Sequence, residues 1–214
     1  MGRKKKKTKG QRAKPTQDLF NAAGQGNLEV VRALVTELGA NVDQATQTGA
    51  TPLGVAAQEG HLTVVCALVA ELGANVDQAM QDGATPLYIA AQKGHFKVVR
   101  ALVKELGANV DQAKSSGETP LYVAAQEGHD QIAKWLARHG ADIPSEKLTD
   151  SNLARSDDLV QWLKKKSSCA NPGCAKGGEK RCARCRKVRY CSRECQVAHH
   201  STHKATCRPP TVDP

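Results

Sequence analysis

Aromatic side chains are scarce: two Trp, three Tyr and two Phe make up 3% of 214 residues. A large mixed core anchored on aromatic rings is therefore excluded. A scaffold that packs small side chains closely suits the plentiful Ala, Gly, Val and Gln. Long apolar runs are missing too, and none approaches the roughly 18 residues a membrane helix requires. The basic N-terminus has no apolar stretch behind it, so it does not read as a secretory signal. A cytoplasmic or nuclear chain is expected, without membrane association. Cysteine is nearly absent from the first four-fifths of the chain. Cys66 stands alone, and the other seven fall between Cys169 and Cys207. In a reducing compartment such clustered thiols, with a nearby His, indicate a metal site rather than disulfides.

Acid is missing from the N-terminal end and sparse at the other. Residues 1–15 carry eight Lys/Arg and no Asp/Glu, whereas residues 16–147 carry nine basic and fifteen acidic side chains. Residues 169–214 return to ten basic against three acidic. The overall charge of +10 thus hides an acidic middle between basic ends. "RKKKKTKGQRAK" has too few apolar groups to fold, which predicts a disordered tail over 1–15. It is a candidate nuclear-targeting segment or a contact for RNA or acidic partners, with a solvated tail of no specific role as the alternative. The basic stretch Lys180–Arg193 lacks the interleaved aromatics of a single-strand platform.

What is present is repetition. "GATPLGVAAQEGH" (49–61), "GATPLYIAAQKGH" (83–95) and "GETPLYVAAQEGH" (117–129) recur every 34 residues, as does "ELGANVDQA" from 37, 71 and 105. "DLFNAAGQGNLEVVRALV" aligns upstream without the Thr-Pro-Leu, and "HDQIAKWLARHGADI" aligns downstream one residue shorter. The spacing predicts four units, roughly 16–43, 44–77, 78–111 and 112–143. Thr51-Pro52 is a helix start, because Thr caps the first amides and Pro has no N–H to leave unsatisfied. Leu53, Ala56 and Ala57 form its packed face, and Gly60 ends it. Leu62, Val65, Leu68 and Val69 mark a second helix, closed by left-handed Gly73. One unit cannot bury both its faces, but stacked units can.

These motifs resemble the ankyrin repeat, in Gly-Ala-Thr-Pro-Leu, Ala-Ala, Gly-His, Val-Val and Gly-Ala-Asn-Val over about 130 residues. Two features depart from that family. Its usual His after Thr-Pro-Leu is Gly54, Tyr88 and Tyr122 here, so the bond of that His to the Thr hydroxyl is lost. One additional residue (Leu38, Leu72, Leu106) precedes the closing Gly in three units, which predicts a slightly longer second helix in an unchanged stack. His61, His95 and His129 recur with the repeat and read as structural links. Cys66 aligns with Arg32 and Arg100, on the solvent side of its helix, and is expected to be inert. The first unit, with Asp18 in place of Pro, reads as a cap. At the other end "SNLARSDDLVQWLKKK" predicts a capping helix with Leu159, Val160, Trp162 and Leu163 apolar, inside a capping and linker segment 144–168.

The last segment has almost no aliphatic groups with which to build a core. Its candidate ligands are Cys169, Cys174, Cys182, Cys185, Cys191, Cys195, His203 and Cys207, spaced C-x4-C-x7-C-x2-C-x5-C-x3-C-x7-H-x3-C. Eight soft ligands suit two tetrahedral, structural Zn²⁺ ions. His199 and His200 are competing candidates, and the H-x3-C spacing favours His203. The pattern resembles the MYND-type zinc finger in Cys169, Cys174, "CARC" at 182–185, "YCSREC" at 190–195, Gln196 and "HKATC" at 203–207. That resemblance implies interleaved pairing: Cys169, Cys174, Cys191 and Cys195 on one zinc, and Cys182, Cys185, His203 and Cys207 on the other. Sequential pairing remains compatible with the spacing alone. The first pair is wider than the family's common C-x2-C, and His200 takes the place of a Trp usual in the last segment. The family also implies a module for proline-containing peptides, with Ser192, Gln196 and the position of His200 beside the groove.

The expected fold class is mainly α: an ankyrin-repeat solenoid over 16–143, then a small zinc-stabilised MYND-type finger over 169–207 and a tail over 208–214. The expected function is a monomeric, non-enzymatic adaptor for other proteins, in transcriptional or signalling complexes. Recognition is expected through turns 46–49, 80–83 and 114–117 and through Gly54, Tyr88 and Tyr122, read as exposed first-helix positions, with simple packing an equal alternative for the two tyrosines. Two rival expectations stand beside it. One is a ubiquitin-ligase-like or methyltransferase-associated regulatory subunit. The other is a nucleic-acid-associated protein acting through the basic tail.

Overall fold

The structure is a computed structural model that describes residues 15–142, 157–167, 180–181 and 189–190. The expectation for residues 1–14 lies outside that range. Four helix pairs follow one another: α1 (Pro15–Gly24) with α2 (Leu28–Thr36), α3 (Pro52–Glu59) with α4 (Leu62–Cys66), α5 (Pro86–Gln92) with α6 (Phe96–Lys104), and α7 (Pro120–Gln126) with α8 (Asp130–Arg138). The first helices pack in series, α1 on α3 on α5 on α7, and the second helices do the same. Side chains from both rows meet in one continuous core, with Leu19, Leu53, Leu87 and Leu121 from the first row and Leu34, Leu68, Leu102 and Leu136 from the second. Each unit thus lends its neighbour the apolar surface it cannot bury by itself.

The helix starts follow the Thr-Pro signature. The hydroxyls of Thr51, Thr85 and Thr119 accept from the backbone N–H of Gly54, Tyr88 and Tyr122 at 3.1, 3.1 and 3.2 Å. All three threonines are buried, so each cap satisfies an amide that water cannot reach. Between units the chain turns through a tight hairpin: Met80 N–H donates to Ala84 and Gly83 N–H to Met80. Gly83 has φ +84°, and a Cβ there would lie 2.8 Å from the Ser115 nitrogen in the next turn, which excludes other residues on two counts.

The additional leucine is accommodated differently from the sequence reading. The second helices of units 1, 3 and 4 all have nine residues, although unit 4 lacks the insertion. The residue instead widens the final turn: Leu38, Leu72 and Leu106 donate to carbonyls five residues back, on Ala33, Ala67 and Ala101. In unit 2 the widened stretch spans Ala67–Glu71. A single inserted residue in a helix end held by packing on both sides produces such a π-type turn.

At the far end α9 (Asp157–Ser167) packs on α8 and buries Leu159 and Leu163. The Arg138 guanidinium lies 5.6 Å from the Trp162 ring centre. Within the C-terminal segment, β1 (Lys180–Arg181) pairs antiparallel with β2 (Arg189–Tyr190), Lys180 opposite Tyr190.

Candidate functional site

The turns between units place Thr46–Thr48, Gln81–Asp82 and Ser115–Ser116 at the solvent edge of the stack. Neighbouring turns are tied by main-chain bonds, Gln81 N–H to Thr48 and Ser115 N–H to Asp82. Lys114 bridges back to Asp82 at 3.1 Å. The Ala84 N–H, and after it Lys114, hold the Asp82 carboxyl below the ordinary carboxylate range. The turn edge is therefore a row of polar groups on a hydrogen-bonded backbone, suited to holding a fixed surface toward another macromolecule.

Gly54, Tyr88 and Tyr122 are not on that surface, which corrects their reading as exposed positions. All three are buried, with Tyr88 and Tyr122 each only 3% accessible. This position faces the unit that follows, since a Cβ at Gly54 would lie 3.8 Å from Ile89 Cδ1, so a large side chain there fills the gap between units. Tyr88 uses that gap. Its hydroxyl donates to Glu118 Oε2 at 3.1 Å across the unit boundary, and Lys114 Nζ lies 5.7 Å from its ring centre. Burial first, and then the Glu118 carboxylate, push the phenol far above its ordinary range, so it remains a donor at any physiological pH. The bond to the Thr hydroxyl expected of a His here is replaced by a bond between units. Tyr88→Phe is expected to lower stability by about 1 kcal/mol in urea titration, because Ser116 Oγ still donates to the Glu118 carboxylate.

The recurring histidines act as the sequence suggested. Nε2 of His61, His95 and His129 lies 2.9, 2.7 and 3.0 Å from the carbonyls of Gly24, Gln58 and Gln92 in the preceding unit. A carbonyl only accepts, so each Nε2 carries the proton. A second ladder went unread in the sequence. Asp43, Asp77 and Asp111 accept from the backbone N–H of Asn75, Asn109 and Asp142 in the next unit. Its signal was the constant Asp of "NVDQ". A third tie is the two-pronged Arg32–Glu71 pair, at 2.9 and 2.8 Å between the second helices of units 1 and 2.

Cys66 takes the place of Arg32 one unit later and is half-buried. Burial, with Glu105 adding to it, raises its thiol above the usual range, which disfavours the reactive thiolate. Thiol titration at neutral pH is expected to label Cys66 more slowly than free cysteine, and Glu105→Gln is expected to speed the reaction.

No group of three or more His, Cys, Asp or Glu among the described residues is arranged to hold a metal. The eight expected ligands, Cys169, Cys174, Cys182, Cys185, Cys191, Cys195, His203 and Cys207, lie outside the described residues, as do Ser192, Gln196 and His200. Among the described residues no helix is long and apolar enough to cross a membrane.

A stack of helix pairs with buried cores, capped helix starts and polar turns defines a class of proteins built to present surface. The family model described as "Ankyrin repeats (3 copies)" matches residues 5–80 and 72–147, and that described as "MYND finger" matches residues 169–207. The chain belongs to the ankyrin-repeat family and carries a C-terminal MYND-type zinc-binding finger. Both parts are protein-interaction domains.

Proposed function

We propose that the chain is a non-enzymatic adaptor whose stack and finger each hold a different protein. The observation that carries this reading is the treatment of the recurring polar side chains. The histidines and the Asp43 ladder are engaged in joining units, the threonines cap helix starts within them, and the turn edge is left for recognition. The finger would be closed by two Zn²⁺, with Cys169, Cys174, Cys191 and Cys195 on one and Cys182, Cys185, His203 and Cys207 on the other. This donor set of seven thiolates and an imidazole fits Zn²⁺, and four protein ligands leave no open position on either ion. The zinc would supply folding energy and no reaction chemistry. Proline-containing peptides are the ligand class we assign to the finger, with Ser192, Gln196 and His200 beside the groove.

Affinity capture with the intact zinc-loaded chain tests the reading. Alanine at Thr48, Gln81 and Ser115 together is expected to remove one set of partners, and serine at Cys185 a different set. Capture of nothing by the intact chain, or zinc-dependent ubiquitin transfer by it, would defeat the adaptor reading.

A further inference from the structure

The acidic balance of the stack does not extend to all its faces. Lys97, Arg100 and Lys104 on α6 are all exposed, and their spacing of three and four residues sets them along one helix face over about 10 Å. On α8, packed beside α6, the corresponding positions are Gln131, Lys134 and Arg138. Packed helix axes lie about 8–10 Å apart, so five cations share a small patch across two helices. Ion pairs among the described residues join Arg32 to Glu71 and Lys114 to Asp82, and none includes any of the five. The carboxylates nearest in sequence lie at or just beyond the helix ends, on Glu105, Asp130 and Asp142. Units 1 and 2 have no such patch. Their corresponding residues are Glu29, Arg32 and Thr36, then Thr63, Cys66 and Ala70, with Arg32 already tied to Glu71.

The strongly basic stretches 1–15 and 169–214 carry the same sign as the patch and do not supply its counter-charge. An acidic segment of another molecule is complementary to the patch in charge. A nucleic-acid strand is the poorer match, because the aromatic rings nearby are already engaged. Phe96 meets the Trp135 ring edge-on at 6.0 Å, and Trp135 stacks on His139 at 3.8 Å, leaving no open platform for bases. An acidic helix, with carboxylates every three or four residues, repeats the spacing of the cations. We infer that the α6–α8 face docks an Asp/Glu-rich segment of a partner protein on Lys97, Arg100, Lys104, Lys134 and Arg138. This rests on the adaptor reading and gives it a surface and a partner chemistry.

The test uses the zinc-loaded full chain and fluorescence anisotropy with three labelled probes: a helical peptide with Glu at every third or fourth position, the same peptide with Gln instead, and a single-stranded oligonucleotide. The Glu peptide is expected to bind, to weaken with added salt, and to exceed the Gln peptide. Lys97→Gln, Arg100→Gln and Lys104→Gln together are expected to weaken it at least about tenfold with an unchanged thermal melt. Lys4→Gln, Lys5→Gln and Lys6→Gln together should change it by less than about twofold. Peptide affinity indifferent to the α6 substitutions overturns the proposal, and so does oligonucleotide binding that those substitutions abolish while peptide binding survives. Failure of the peptide with partner capture intact rejects this face and leaves the adaptor reading standing.

Discussion

Chelating the metal is expected to unfold residues 169–207 and to leave the helical stack folded. The two halves depend on different forces. The stack buries Leu, Val and Ala side chains along its whole length, and area removed from water stabilises it without any ion. The C-terminal segment has only Val188, Tyr190 and Val197 among its larger apolar residues, too few to offset the entropy of ordering that length of chain. Structural zinc contributes about 10–16 kcal/mol per ion in small modules, comparable to the net stability of a whole domain. After treatment with a strong chelator, circular dichroism should retain the helical signal and its cooperative melt, while trypsin should cut rapidly at Lys187 and Arg193. Elemental analysis before treatment should give two zinc per chain. A C-terminal segment still resistant to trypsin without metal would refute the account.

The same measurement separates the two pairings. Cys169→Ser and Cys191→Ser together spoil a single ion if the pairs interleave, so one zinc per chain should remain. Sequential pairing would place those cysteines on different ions, and the double variant would then lose both.

How much could be read from the residues differs between the parts of this chain. The repeat was legible because Thr51-Pro52, Thr85-Pro86 and Thr119-Pro120 each mark a helix start by a local mechanism that needs no neighbour. Gly60 and Gly73 mark helix ends in the same local way. The histidines were legible as links, because a titratable group recurring at constant spacing follows the scaffold. Whether Tyr88 and Tyr122 are exposed or packed was not legible, because burial there is decided by the adjoining unit: Glu118 is 30 residues away and receives the Tyr88 hydroxyl. The fate of Leu38, Leu72 and Leu106 was misread for a related reason. Helix propensity says that an additional leucine lengthens a helix, but the next unit fixes where Ala40, Ala74 and Ala108 must be buried. The turn widens to meet that constraint. The charge patch on α6 and α8 was hidden in an average, since the net charge of the stack is negative while its acids sit mainly at turns and helix ends.

Gly60→Ala is expected to destabilise the stack far more than Gly73→Ala, though both glycines are left-handed, at φ +78° and +75°. The backbone strain is therefore nearly the same in both, about 1–2 kcal/mol for an L residue. The surroundings differ. At Gly73 a Cβ would meet nothing within 4 Å, whereas at Gly60 it would lie 2.7 Å from His95 Nδ1 and 2.9 Å from Cε1. The His95 ring cannot retreat cheaply, because its Nε2 is held by the Gln58 carbonyl at 2.7 Å. Moving it gives up that bond, about 1 kcal/mol, and opens the seam between units 2 and 3. A total of about 3 kcal/mol, or roughly 10 °C in Tm, follows for Gly60→Ala, against roughly 4 °C for Gly73→Ala. The two-residue variant Gly60→Ala with His95→Ala carries the strain and the lost bond but no collision. It should therefore be more stable than the sum of the single substitutions implies, by about 1 kcal/mol. Equal melting temperatures for Gly60→Ala and Gly73→Ala would mean that the imidazole is free to move aside. The histidine ladder would then ornament the stack without joining its units.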